Sequence, residues 1–292
     1  AEGIFEACLR DPAVQLQVNF MRQVSGAAKP AHRLLFAELS QFPLHYSWAK
    51  AVFGFWNRIA KQSDSICHLA LRQELRMHLE GSLADGWGSK VLRLLQHLRY
   101  NVWEGLPDGA TTPAEKARWL AERPLRLGEL QGALRKAFMS GWAHERLAVE
   151  PSAYPSDGKQ PGIQMAKYKS WMGLPFEGSA PVAWQSHARV FIPRDVHRRL
   201  MRFRLCCWPL EANRALAGRP RELRVCKLCG VAGAIEDEQH VLIECPAYSD
   251  CRQEAQLPTG KGMSAVMRDF EPGKLAILLD CIWKMRCRLL AT

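Results

Sequence analysis

Apolar residues recur at helical spacing through most of the first 150 positions of the chain. Leu44, Trp48, Val52, Phe55 and Ile59 follow one another at offsets of three and four, one stripe of a helix opened by Pro43. Ahead of it, "KPAHRLLFAELSQF" predicts a helix with Pro30 in its first turn and an end before Pro43. "DSICHLALRQELRMHL" predicts a third, and Val91, Leu94, Leu95, Leu98 and Val102 share one face of a fourth. Thr112 and Glu115 stand in the capping-box relation around "PAEKARWLAE". Leu127, Leu130, Leu134, Phe138 and Trp142 make the next stripe. Strand-like alternation is nearly absent, so the expected fold class is mainly α, with residues 1–150 forming a helical bundle.

"VEPSAYPSDGKQPGIQ" holds three Pro and two Gly in sixteen residues, enough to end any helix. It marks a boundary near 150 to 165, and residues 151–192 read as a linker followed by an ambiguous stretch in which "ARVFI" fits a short strand or a helix start. From Pro193 the pattern sharpens. Val196, Leu200, Phe203 and Cys207 form an apolar helical stripe, while Arg194, Arg198 and Arg202 recur every fourth residue on roughly the opposite side. Residues 193–255 form the next region, and Leu275, Leu278, Leu279, Ile282 and Leu289 predict a closing helix within 256–292.

The 292 residues are nearly half apolar, enough to bury a sizeable core, and ten Trp against five Tyr point to indoles anchoring helix packing. No apolar run approaches a membrane span, since "LAILLDCIW" is broken by Asp280, and the acidic start is unlike a secretory signal. A first residue other than Met fits a chain cut from something longer. Ten Cys without such a signal favour thiols and metal ligation over disulfides, hence an intracellular, reducing setting, nuclear or cytoplasmic. "HRRLMRFR" is a weak match to a nuclear import signal.

The net charge of +11 is unevenly placed. From His187 to Cys229 there are ten Arg and one Lys against Asp195, Glu211 and Glu222, a surplus of eight. That concentration implies a polyanionic partner, and the planar guanidinium suits phosphate better than an ammonium does. A merely solvated basic face is the alternative.

The window runs into "VCKLCGVAGAIEDEQHVLIEC", whose spacing is C-x2-C-x10-H-x4-C. Three thiolates and an imidazole are a usual structural zinc set. Cys226 and Cys229 would come from a tight turn in which Gly230 takes positive φ, and His240 and Cys245 from a short acidic-capped helix ended by Pro246. A filled shell of four leaves no open position for water, which argues for scaffolding by Zn2+ over hydrolysis. The alternative is that these are small residues buried under a loop, with His240 satisfied in the core. Glu236, Asp237 and Glu238 would repel phosphate, so the knuckle is expected to position the Arg-rich segment instead of gripping a strand itself. The completed architecture is a helical bundle followed by a small zinc-knuckle domain.

"RRLMRFRLCCWPLEANRALAGRPRELRVCKLCG" with "EDEQHVLIECPAYSDCR" resembles the C-terminal region of LINE-type (non-LTR) retrotransposon reverse transcriptases, and "LLFAELSQFPLHYSWAKAVFGFWNRI" is similar to the helical segment after their polymerase. The resemblance implies that residues 1–150 are thumb- or linker-like, and that Cys226, Cys229, His240 and Cys245 are the CCHC knuckle. It also places Arg202, Arg204 and Arg224 at recurrent basic positions, and implies as partners template RNA or target DNA, or both, and a polymerase domain of a parent polypeptide. Cys206 stands where the family often has Gly. The chain has no Asp-Asp pair, so a two-metal polymerase site is missing, and no endonuclease motif is evident.

The expected function is therefore noncatalytic nucleic-acid binding through Arg194, Arg198, Arg202, Arg204 and Arg224. Trp208 is placed either in the core or stacked on an unpaired base. The alternative is a zinc-stabilised helical protein-interaction module. An enzyme is the third reading, since His144, Glu145 and His187 offer acid–base groups but stand in no nucleophile or open-metal motif.

Overall fold

The computed structural model describes residues 8–27, 30, 32–143, 161–172, 187, 190–213, 220–258 and 260–291. The fold is mainly α. Among these residues β pairing is confined to a bridge between Val225 and Ile235. Chain contacts divide the protein into two compact units, one containing Phe42–Phe138 and the other Leu9–Gln41 with Met139–Thr292. The second unit thus interleaves early and late sequence, joining residues 9–41 of the expected 1–150 bundle to the later regions. Periodicity says which face of a helix is buried and nothing about which helix covers it. Of the linker and ambiguous stretch expected at 151–192, residues 161–172 form a helix, and 151–160 and 173–186 lie outside the described residues. Of "ARVFI", residues 190–192 are described, as a bend and irregular chain.

Two helices, α1 (Pro12–Ser25) and α2 (His32–Glu38), open the second unit. Asp11 caps α1 by accepting from the Ala13 N–H at 2.8 Å, and Gly26 ends it at φ 66°. The first unit then follows as α3 (Leu44–Ala60), α4 (Ile66–Leu79), α5 (Trp87–His97), α6 (Pro113–Glu122) and α7 (Leu127–Ala143), the last of these up to Phe138. The expected stripe on α3 is corrected. Its buried face is Ala49, Phe53, Trp56 and Ile59, while Trp48 and Phe55 are 46 % and 41 % exposed. This helix is apolar around most of its circumference, so spacing alone allowed two registers. Polar contacts choose between them: Trp56 Nε1 donates to the Arg123 carbonyl, and Asn57 binds both the N–H and the carbonyl of Leu125 at 2.6 and 2.8 Å.

Helix α5 ends at His97, and Arg99 turns the chain at φ 57°, so Val102 lies beyond the helix on which it was placed. The start of α5 is capped from outside by the Glu74 carboxylate of α4, which accepts from Gly88 N–H at 2.5 Å and Ser89 N–H at 3.3 Å. Both halves of the Thr112–Glu115 capping box are present on α6. Leu130, Leu134 and Phe138 of α7 are buried as their spacing implies.

The second unit continues with α8 (Pro161–Met172), α9 (Arg194–Arg204), α10 (Ser249–Glu254), α11 (Met263–Asp269) and α12 (Pro272–Ala291). The single closing helix expected at 256–292 is thus two, broken ahead of Pro272. Helix α9 packs on α12 and on α1, α8 on α11, and α10 on α12. Trp208 sits at the centre, 1 % exposed, with ring centroids 4.8 Å from Phe203 and 5.1 Å from Trp283 and its Nε1 donating to the Arg199 carbonyl at 2.9 Å. That environment assigns it to the core and leaves no face for a base. Cys206, directly after the α9 cap, holds φ 54°. The position is one a glycine would occupy without strain. Cys251 and Cys281 form a disulfide joining α10 to α12, against the expectation that the cysteines favour thiols and metal ligation over disulfides. Their separation of 30 residues carries no motif, and only the packing of the two helices brings the Cα atoms to 6.0 Å.

Candidate metal centre

The knuckle is a hairpin closed by a few backbone bonds. Cys226 N–H donates to the Ala234 carbonyl at 2.7 Å and Glu236 N–H to the Arg224 carbonyl at 2.9 Å, bracketing the Val225–Ile235 bridge. The turn between them passes through Gly230 and Gly233, both left-handed at φ 65° and 71°, a conformation costly for residues with a Cβ. Asp237 then caps the next element, accepting from His240 N–H at 3.0 Å.

That element is not the expected α-helical turn. His240–Glu244 is a π turn, in which Cys245 N–H reaches the His240 carbonyl at 2.6 Å. The difference matters for ligation. Five residues along an α-helix end about 140° apart around the axis, whereas an i→i+5 turn brings the fifth residue back near the first. His240 and Cys245 therefore face one point.

The four ligand atoms of Cys226, Cys229, His240 and Cys245 all lie within 4.8 Å of one another. Cys226 Sγ is 3.9 Å from Cys245 Sγ, and Cys229 Sγ is 3.5 Å from His240 Nε2. His240 Nδ1 points toward the Glu244 carboxylate at 3.7 Å, the outer-shell arrangement that orients a ligating imidazole. Backbone N–H groups of Leu228 and Cys229 are directed at Cys226, and that of Ala247 at Cys245. Burial pushes the Cys226 thiol up and that of Cys245 to about 12, so thiolates here need a cation beside them. The cluster can hold a metal ion, with all four places filled by protein.

The acidic triplet behaves differently from its expected role as a phosphate-repelling loop. Glu236 is buried, receives the Glu211 N–H at 2.9 Å and pairs with Arg286 of α12 at 2.8 Å. Glu238 is fully buried and pairs with Lys167 of α8 at 2.6 Å. Burial is the largest influence on that ammonium and lowers its pKa, but the charge and hydrogen bond of Glu238 together with Cys206 and Asp237 hold it above its usual range. Asp237 is the cap already described. The carboxylates bolt the knuckle onto two helices, and Arg252 adds a bond to the Cys245 carbonyl at 2.6 Å. Cys226, Val241, Leu242 and Cys245 belong to the same apolar core as Leu200, Phe203 and Trp208.

The five arginines named from the sequence do not form one face. Arg194 is exposed. Arg202 lies over the Trp283 ring, 5.3 Å from its centroid. Arg198 caps the end of α1, donating to the Gln23 and Val24 carbonyls at 2.7 and 3.4 Å. Arg224 is buried and donates to the Ala212 carbonyl at 3.1 Å. Arg204 is 3 % exposed, its Nε 2.6 Å from the carboxylate of fully buried Glu38. Arg198, Arg204 and Arg224 are therefore structural, because each guanidinium is already held by protein oxygens.

Glu38 is the hub of an interior cluster that no motif announced. It also accepts from the Tyr168 hydroxyl at 2.7 Å and faces His187 Nε2 at 3.5 Å. Burial works to raise its pKa, but Arg204, His187 and the Tyr168 bond outweigh it and hold the carboxyl low. Burial and Arg204 depress His187 to about 4 against the pull of Glu38. His187 is thus an interior partner of Glu38, while His144 and Glu145 lie outside the described residues.

Comparison with family models, with curated proteins and with solved structures finds no match. No helix among the described residues is long and apolar enough to cross a membrane.

Proposed function

We propose that this chain is a noncatalytic nucleic-acid-binding module of the kind found at the C-terminal end of retrotransposon reverse transcriptases, with structural zinc shaping its surface. With Zn–S near 2.3 Å and Zn–N near 2.0–2.1 Å, a tetrahedral ion separates two sulfurs by about 3.8 Å and a sulfur from a nitrogen by about 3.6 Å. The separations of 3.9 and 3.5 Å fit that ion. A Ca2+ or Mg2+ site would call for oxygen donors.

The observation that carries the binding reading is the placement of cations beside this core. Arg194 and Arg202 stand on α9, and exposed Arg288 on α12, the helix packed against it, where exposed Lys284 also stands but shares its charge with Asp280 at 2.7 Å. If about four of them meet phosphate, log K falls with log salt at a slope near −3.6 for duplex DNA. Anisotropy of labelled RNA and DNA is measured across salt, with and without chelator, and repeated on Cys226→Ser. A slope near zero removes the reading. Elemental analysis showing no stoichiometric zinc removes the metal's part in it.

The internal use of Arg198, Arg204 and Arg224 favours a second reading, a metal-stapled scaffold for protein contacts. It predicts partner binding that survives nuclease treatment and nucleic-acid-free protein after purification.

A further inference from the structure

Along α4 the side chains left outside the bundle change character in one direction. Ile66 and Leu69 are 82 % and 54 % exposed, and the two turns after them present Arg72, Gln73 and Arg76. Leu69, Arg72, Gln73 and Arg76 line one wall of a cavity of about 290 Å³ whose other wall is Ala114, in the first turn of α6. The small Ala114 side chain keeps the groove open. Two guanidiniums one turn apart on a helix repel each other. Arg76 is balanced by Glu80 at 2.7 Å, with both side chains exposed to solvent, whereas Arg72 has no carboxylate within ion-pair distance among the described residues. Nearby acids are engaged elsewhere: Glu74 caps α5, and Glu115 accepts from the Thr111 and Thr112 N–H groups.

An apolar end followed by a cationic end, set in a groove between helices, is complementary to an amphipathic helix that carries acids on one side of its apolar anchors. A nucleic-acid strand fits less well, because the lining has no aromatic ring for a base to stack on and its exposed apolar members are aliphatic. We propose that the α4–α6 groove docks an acidic amphipathic segment of a partner protein, its apolar side chains on Ile66 and Leu69 and its carboxylates on Arg72 and Arg76. This site lies in the first unit and stands or falls independently of the nucleic-acid reading of the second.

The test titrates the full chain into a fluorescein-labelled helical peptide with two leucines one turn apart followed by two glutamates. Saturable binding is expected. It weakens about tenfold in Arg72→Glu, where a like charge replaces an opposite one, and comparably when the peptide glutamates are replaced by glutamine. Leu69→Ser weakens it too, and Arg135→Glu, on exposed α7 surface, leaves it unchanged. All three positions lie partly or fully on the surface, and thermal melts confirm that the variants fold. A labelled single-stranded oligonucleotide is run in parallel. Absence of saturable peptide binding, binding indifferent to Arg72→Glu, or an Arg72→Glu effect on the oligonucleotide alone overturns the proposal.

Discussion

Replacing Arg204 with methionine separates a phosphate contact from an interior strut. The side chain is 3 % exposed, pairs with a carboxylate that is fully buried, and donates to the Met267 carbonyl at 3.2 Å. Methionine roughly fills the space and leaves Glu38 with the Tyr168 hydroxyl and a His187 that is neutral at pH 7. Breaking a buried pair from one side costs about 3–5 kcal/mol, because the remaining charge keeps its desolvation penalty. The loss depends on pH. In the native protein Glu38 titrates below its ordinary value, so its contribution is present above pH about 4.5 and lost as pH falls. Without Arg204, burial dominates at Glu38 and a source of repulsion leaves His187, so both pKa values rise and the folded variant takes up protons. The deficit against the native protein therefore narrows from pH 8 to pH 5. Urea unfolding at both pH values measures it, and Glu38→Gln added to Arg204→Met recovers most of the loss, since no buried charge is left alone. A deficit below about 1 kcal/mol at both pH values, with weakened RNA or DNA binding, would place the guanidinium on a phosphate and refute the reasoning.

Three further outcomes are expected. His187 titrates near 4 in the folded chain against 6.5 ordinarily, so the unfolded state binds the extra proton. Stability is full above pH about 6.5 and falls by about 3 kcal/mol toward pH 4, a slope that His187→Gln removes from an acid-unfolding series. A Cβ at Gly88 would meet Leu71 Cδ1 at 2.9 Å and Leu75 Cδ2 at 3.2 Å, so Gly88→Ala destabilises the first unit by about 1–2 kcal/mol in thermal melts despite alanine's better helix propensity. Chelation, or Cys226→Ser, lowers the melting temperature and opens amide exchange across the knuckle, because metal affinity of roughly 10–16 kcal/mol in small fingers is folding energy. Unchanged exchange at Val241 and Leu242 would show the surrounding core to be sufficient.

Much of the secondary structure was legible because it is local. The Thr112–Glu115 box, the turn at Gly230, the halt before Pro43 and the stripe on α7 each depend on residues within a few positions of one another. The four residues of the candidate metal cluster were legible for the same reason, since turn chemistry sets most of their spacing. Tertiary structure decided what depends on distant partners. Which apolar face of α3 is buried was settled by carbonyls some 67 residues away. A run of arginines announces charge, yet whether each guanidinium meets solvent or a buried oxygen depends on Glu38, on the end of α1 and on Ala212. The acids of the knuckle loop looked like solvated charges and are interior struts, because Arg286 and Lys167 arrive from helices on either side of it in sequence. The ambiguity is physical: a charged side chain has the same local propensity whether it faces water or a buried counter-charge, and only the folded chain supplies the counter-charge.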